Sequence, residues 1–295
     1  MILCPIRALT EVNLWVLGGT GLVAGLLGSM LGVGGGPIIV PVLTLALGLP
    51  IHVAIGSSLV AIVANSCTAA GIYTKARLTN VKLGLLLESA TTPGAIIGGL
   101  VAAVIAPAIL SVLFGLVLIY AAYTMVARQY LMPEGTLSTD NSAVTDNTTN
   151  NLSSSLTDSY YDQNLGKVVT YKVNHLPQGL GTSFFAGVLS SLLGIGGGIV
   201  NVPILHLVMG VPIKAAIATS AFMITITAAV GALIYQYYGH IYPFIVAPLI
   251  IGIVIGARLG AELAQRARGV LLRRILAAFL FIAAVLMFLR TANVI

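Results

Sequence analysis

The chain has 295 residues, 58% of them hydrophobic and only 7% charged, with a mean hydropathy of +1.04. An ordinary soluble domain is about 25% charged, so 14 basic and 8 acidic residues cannot build a polar skin for a globule of this size. A soluble enzyme, a nucleic-acid binder and a disordered chain are excluded, which leaves a polytopic membrane protein.

The opening MILCPIRALTEVN lacks a long apolar run before a small-residue cleavage site, so it does not read as a removable signal peptide. The first apolar run is Leu14–Leu31, followed by a shorter one at 37–47 and then by runs at 51–73, 83–105 and 109–126. A membrane-crossing helix needs about 20 residues. Cys67, inside the third run, reads as a small buried thiol. The chain then turns Ser-, Thr-, Asn- and Asp-rich. It holds five of the eight acids here (Glu134, Asp140, Asp146, Asp158 and Asp162) and shows no apolar period, so it reads as a flexible linker. Apolar runs resume at 181–193, 199–209, 213–235, 242–263 and 270–289.

The second set repeats the first without gaps at an offset of 162. AGLLGSMLGVGGG at 24–36 meets AGVLSSLLGIGGG at 186–198, and 19 of the 36 pairs from position 23 to 58 are identical. Pro41 meets Pro203, Pro50 meets Pro212, and Tyr73 meets Tyr235. Such duplication is common in transporter folds. The expected architecture is an all-α polytopic membrane protein of two repeats, at 12–128 and 173–290, joined by a polar flexible linker at 129–172.

Basic residues set the orientation of these halves. The loop after the third run carries Lys75, Arg77 and Lys82, whereas its second-half equivalent, YYGHIYP, carries no Lys or Arg. The next loop reverses this, with Arg266, Arg268, Arg273 and Arg274 only in the second half. The positive-inside rule then reads an inverted-topology repeat, with a cytoplasmic linker and with Asn147 and Asn151 not glycosylated. Arg7 and Arg290 count mildly against this, and a parallel repeat of four spans per half is the alternative.

Each half breaks its apolar run with consecutive glycines, at Gly32-Val33-Gly34-Gly35-Gly36-Pro37 and at Gly194-Ile195-Gly196-Gly197-Gly198. Such runs interrupt a helix, and Pro37 suits the first turn of the next one. The following segment covers about 20 Å of a hydrocarbon core of about 30 Å. A hairpin with its turn inside the membrane is expected. Irregular backbone at that depth needs protein or a wet cavity beside it, and the amide groups opening the second helix suit an anion. Two such turns entering from opposite faces would bring two anion-attracting ends near the midplane. The competing reading is glycine for close helix packing alone.

The expected substrate-binding residues are therefore Val33, Gly34, Gly35, Gly36, Ile195, Gly196, Gly197 and Gly198 of the turns. With them go Ser57, Ser58, Thr219 and Ser220, hydroxyls recurring early in both third segments, and the amides Asn65 and Asn201, which are costly in lipid. Asn201 breaks the repeat, since its counterpart is Ile39. Glu88, an ionisable group within a span, is the candidate for proton coupling, against pairing with a loop base such as Lys82. Arg258 and Glu262 read as a snorkelling pair four residues apart. Trp15 and Tyr235, Tyr237, Tyr238 and Tyr242 read as interfacial aromatics, and His206 as a hydrogen-bonded side chain. No HExxH, Cys/His cluster or catalytic triad is found, so no enzyme activity, cofactor or metal is expected.

The paired GxGGG turns, each followed by a proline-ended segment, and the later glycine-rich helices GAIIGGLVA at 94–102 and GARLGAELA at 256–264 resemble the sulfite exporter TauE/SafE family of membrane permeases. That resemblance implies transport of small sulfur-containing anions such as sulfite or organosulfonates, usually export. The long polar linker departs from the pattern. The combined expectation is a cell-membrane (inner-membrane) secondary transporter whose partners are a small anion and the lipid bilayer, not nucleic acid. An anion channel, an importer of the same architecture and a non-transporting scaffold stay open.

Overall fold

The structure, a computed structural model, describes residues 14–131, 158–162, 167–266 and 270–291. Cys4, Arg7, Glu134, Asp140, Asp146, Arg268, Asn147 and Asn151 lie outside the described residues. Helix α1 (Leu14–Leu31) leads through the first glycine turn to α2 (Gly36–Pro41), which continues as a π-helical turn (Val42–Ala46). Then come α3 (Ile51–Lys75), α4 (Val81–Val104) and α5 (Pro107–Leu131). A hairpin of β1 (Asp158–Asp162) and β2 (Lys167–Tyr171) precedes the second set. That set is α6 (Leu176–Leu193), α7 (Gly198–Pro203) with its π-helical turn (Ile204–Val208), α8 (Ile213–Tyr237), α9 (Pro243–Arg266) and α10 (Val270–Thr291). Among the described residues, five helices are long and apolar enough to cross a membrane: α1, α3, α4, α8 and α9 as far as Ala264.

Prolines shape these elements in matching ways. Pro50 and Pro212 hold extended backbone just before α3 and α8. Pro41 and Pro203 have no N–H to bond back along the helix, and in both halves the ladder widens into a π turn directly after them. In the first half the Thr44 hydroxyl donates to the Val40 carbonyl at 2.8 Å, taking up part of the loosened ladder. Gly36–Ala46 spans about 16 Å at 1.5 Å per residue, short of a bilayer crossing.

The halves interleave. Helix α1 packs on α9, while its repeat equivalent α6 packs on α4; α3 meets α8 and α9, α8 meets α4, and α5 meets α10. Small residues permit this. A Cβ at Gly252, Gly256 or Gly260 of α9 would run into the backbone of α1, and one at Gly94 or Gly98 of α4 into the backbone of α6. In lipid, helices associate through such close packing because apolar burial offers little drive. Large apolar side chains such as Leu100, Phe185, Leu233 and Ile251 point outward, as lipid-facing helices require.

Three expectations are corrected. The tract read as a flexible linker contains an antiparallel hairpin with Tyr160 opposite Val169, an appendage to an otherwise α-helical membrane fold. Its Tyr160 and Tyr171 and the following Val173 are buried against Leu78, Leu83, Met209 and Ala215. Burial, opposed in part by a hydrogen bond from Asn80 Nδ2 at 3.4 Å, pushes the Tyr171 phenol up to about 12. Cys67 is exposed rather than buried, on the same face of α3 as exposed Gly71. Tyr235 is buried rather than interfacial; of the other tyrosines of its group, Tyr237 and Tyr238 are exposed and stack edge to face, and Tyr242 is half-buried.

The docked hairpin can be tested directly. Tyr171→Ala removes a buried ring, at a cost on the order of 3 kcal/mol, and is expected to speed tryptic cleavage at Lys167 and Lys172 in the detergent-solubilised protein. Cleavage unchanged from wild type would show that Tyr171 does not hold the hairpin down.

Candidate functional site

The two glycine turns meet. Gly36 lies directly against the Gly194 carbonyl and the Ile195 backbone, and Gly198 against the Gly32 carbonyl and the Val33 backbone. Gly34 and Gly196 face the same two side chains, Ile62 and Ile224, which are themselves repeat equivalents. Only glycine fits here. Gly35 and Gly197 sit at φ 89° and 71°, in the left-handed region, immediately before α2 and α7. As built, the turns touch and are buried, with no gap between Gly36 and Gly194.

The exposed backbone groups of these turns are served from across the repeat boundary. The Ser58 hydroxyl of α3 donates to the Gly194 carbonyl at 2.9 Å, and the Ser220 hydroxyl of α8 donates to the Gly32 carbonyl at 3.2 Å. Each half thus caps the broken helix of the other, as buried helix ends require. Further back in each broken helix, three residues before Gly32 and two before Gly194, the Tyr73 hydroxyl donates to the Ser29 carbonyl at 2.8 Å and the Tyr235 hydroxyl to the Leu192 carbonyl at 3.3 Å. These tyrosines were not expected as part of the site, although their repeat offset was visible. Backbone donors are filled unevenly. Val33 and Gly34 donate to the Gly28 carbonyl and Ile195 to that of Ser190, but among the described residues the amides of Gly35, Gly196 and Gly197 find no backbone acceptor.

Other expected residues divide. Ser57 and Asn65 of α3 are buried, and Ser57 Oγ and Asn65 Oδ1 have no partner among the described residues. Their repeat equivalents on α8 are engaged. Thr219 Oγ1 accepts from the Asn80 amide at 3.1 Å, which ties it to the start of α4 rather than to the turns. Thr227 Oγ1 donates to Glu88 Oε1 at 2.7 Å. Thr92 donates to the same oxygen at 3.1 Å, while Glu88 Oε2 has no partner. Glu88 is buried on α4 against α8, and no base pairs with it among the described residues. Asn201 is buried just past the second turn, with Oδ1 unpartnered. Val33 and Ile195 turn their side chains into the core.

The remaining polar side chains lie elsewhere. Arg258 Nε and Glu262 Oε1 are 3.6 Å apart on the exposed face of α9. His206 Nδ1 bonds the Val211 carbonyl at 2.8 Å. The rings of His52 and His240 are 5.2 Å apart, and burial, then the His52 charge, lower His240 below the usual imidazole value. Among the described residues no three His, Cys, Asp or Glu side chains gather as metal ligands.

The meeting of the turns has a measurable consequence. Gly36→Ala or Gly198→Ala would drive a methyl group into the opposite turn, with an expected loss of about 2–3 kcal/mol seen as a lowered thermal midpoint. Gly71→Ala, which meets nothing within 4 Å, is the control and should hold or gain up to about 1 kcal/mol. Equal behaviour of the three variants would contradict the contact.

Comparison with known proteins agrees with this architecture. The family described as "Sulfite exporter TauE/SafE" matches residues 17–287. The chain is 29% identical over 253 residues to the probable membrane transporter protein YunE of Bacillus subtilis, covering 83% of this chain and 86% of that protein. It is 28% identical over 284 residues to a probable membrane transporter protein of Methanocaldococcus jannaschii, covering 91% and 93%. No solved structure matches. The chain belongs to the sulfite exporter TauE/SafE family and is a multi-pass protein of the cell membrane.

Proposed function

We propose that this protein is a secondary transporter that moves a small sulfur-containing oxyanion, sulfite or an organosulfonate, by alternating access and in the direction of export. The observation that carries the reading is the contact between the two glycine turns, beside which the buried Ser190 Oγ and Asn201 Oδ1 have no partner among the described residues. The family description supplies the substrate class.

Packing and charge support an inverted pair of repeats. The start of α3 lies beside the end of α8: His52 is near His240, and Gly56 is against Tyr235. The start of α8 lies beside the start of α4, through Thr219 with Asn80 and Phe222 with Gly84. Lys75, Arg77, Lys82 and Lys214 belong to that second end, which the positive-inside rule assigns to the cytoplasm. On this reading the repeats at 12–128 and 173–290 are inverted and the segment 129–172 is cytoplasmic.

Transport then requires the turns to part. The turn amides, with Ser57 and Asn65, become donors to an oxyanion and Asn201 contacts it beside the second turn, while Ser58 and Ser220 exchange a carbonyl for a substrate oxygen as each contact opens. Thr219 completes the set near the start of α8, next to the start of α4. No Lys or Arg is assigned to the site, so binding through dipoles stays weak enough for release. Glu88 carries the coupled proton: an unpaired carboxylate away from water is costly, and taking up a proton removes the charge.

Flux in reconstituted vesicles tests the whole reading. Saturable movement of sulfite, thiosulfate or sulfoacetate, but not chloride, is expected. Gly35→Leu and Gly197→Leu should each abolish it while protein remains in the membrane; wild-type flux from both would remove the turns from the mechanism. Flux that never saturates and cannot build a gradient would make the protein a channel. Glu88→Gln is expected to eliminate the response to an imposed pH gradient while keeping downhill exchange. A full response from that variant would remove Glu88 from coupling.

A further inference from the structure

The two turns are alike in backbone but differ in the side chains that flank them. In the first half the residue packed under the turn is Gly28, where a Cβ would run into the Gly34–Gly35 backbone. Its counterpart in the second half is Ser190, and the counterpart of Ile39 is Asn201. Both substitutions replace a group without polar side-chain atoms by a polar one, and both fall at the same place. The position a Gly197 Cβ would take is 3.4 Å from Ser190 Oγ and 3.5 Å from Asn201 Nδ2.

Neither side chain is exposed, at 0% for Ser190 and 3% for Asn201. Ser190 Oγ and Asn201 Oδ1 have no hydrogen-bond partner among the described residues. Buried polar atoms are almost always paired, and leaving one unpaired is unfavourable. The first half shows that the same turn closes with glycine and isoleucine at these positions. A glycine turn of this kind therefore closes without the polar pair, and the two unsatisfied atoms are placed to pair with a ligand.

We infer that Ser190 and Asn201 form a one-sided subsite for the head group of the transported solute. This rests on the transporter reading above and refines it. The unsatisfied atoms define the chemistry. The Ser190 hydroxyl can donate, whereas Asn201 Oδ1 can only accept. The matching head group offers a bare oxygen to the serine and an O–H to the amide oxygen, which is a singly protonated oxyanion such as hydrogensulfite. A fully ionised sulfonate such as methanesulfonate has no O–H and leaves Asn201 Oδ1 unmatched. Because the first half has no equivalent pair, the solute leans on the second turn whichever side the pathway opens.

The test compares wild type with Ser190→Gly/Asn201→Ile, which installs the first half's own residues. Binding is read as the thermal shift of the solubilised protein on adding sulfite, on the acid and the alkaline side of neutrality, and on adding methanesulfonate. Vesicle flux of sulfite is measured in parallel. Wild type should bind at least tenfold more tightly when the probe is hydrogensulfite than with either alternative, and the double variant should lose that preference. Without ligand the double variant should be at least as stable as wild type, because it lacks the unsatisfied atoms. If wild type transports sulfite and the double variant keeps both affinity and preference, the subsite is wrong and the transporter reading stands. A double variant that is less stable without ligand, with unchanged preference, makes the pair structural and also overturns the inference. If wild type neither binds nor moves any of the probes, the transporter reading itself fails and the subsite falls with it.

Discussion

An unpaired peptide group away from water is costly, and the carbonyls that end two broken helices in this fold are buried and must find partners within the protein. They do so reciprocally. Ser58 bonds the Gly194 carbonyl and Ser220 bonds the Gly32 carbonyl, across sequence separations of 136 and 188 residues. Neither half can close its own turn alone, so the turns, α3 and α8 form one unit although the chain is built from two copies. The glycines follow from the same constraint. Backbone against backbone, as at Gly36 with Gly194 and Gly198 with Gly32, leaves no room for a Cβ.

The crossing of partners extends outward from this centre. Helix α1 leans on α9 and α6 on α4, through glycine stripes that occur in both halves. Each break in a helix is therefore gripped by helices of the opposite repeat. In the proposed transport cycle these two equivalent contacts would open in turn, the kind of bistable element that switching between access states needs. Three of the departures from symmetry put a polar side chain opposite an apolar residue or glycine: Glu88 against Ile250, Asn201 against Ile39, Ser190 against Gly28. A duplicated scaffold keeps its shape by symmetry and acquires selectivity where the copies differ.

Much of the fold was readable from residue order. Apolar runs bounded by glycine and proline set α1 at Leu14–Leu31 and the starts of α3 and α8 at Ile51 and Ile213, because those residues act locally on the backbone. The 162-residue offset carried the reading from one half to the other. What was not legible depends on contacts between distant segments. Nothing near Ser58 says that its hydroxyl meets Gly194. Tyr235 reads as an interfacial aromatic beside Tyr237 and Tyr238 until its burial against the end of α6 is seen. The hairpin was missed because SYYD and KVVTY are short and lie beside a Ser-, Thr- and Asn-rich tract whose composition dominates. Ser190 was visible as a break in the repeat, but its significance comes from the unpartnered oxygen beside Gly197.

The central claim is that the turns touch and must separate for solute to pass. Val33→Cys and Ile195→Cys, placed together in a background where Cys4 and Cys67 are replaced by serine, would put one thiol on each turn. A short reversible thiol cross-linker, followed by sulfite flux in vesicles before and after reduction, measures both parts of the claim. Efficient cross-linking that stops flux, with recovery on reduction, is the result this account predicts. Complete cross-linking with undiminished flux would contradict it.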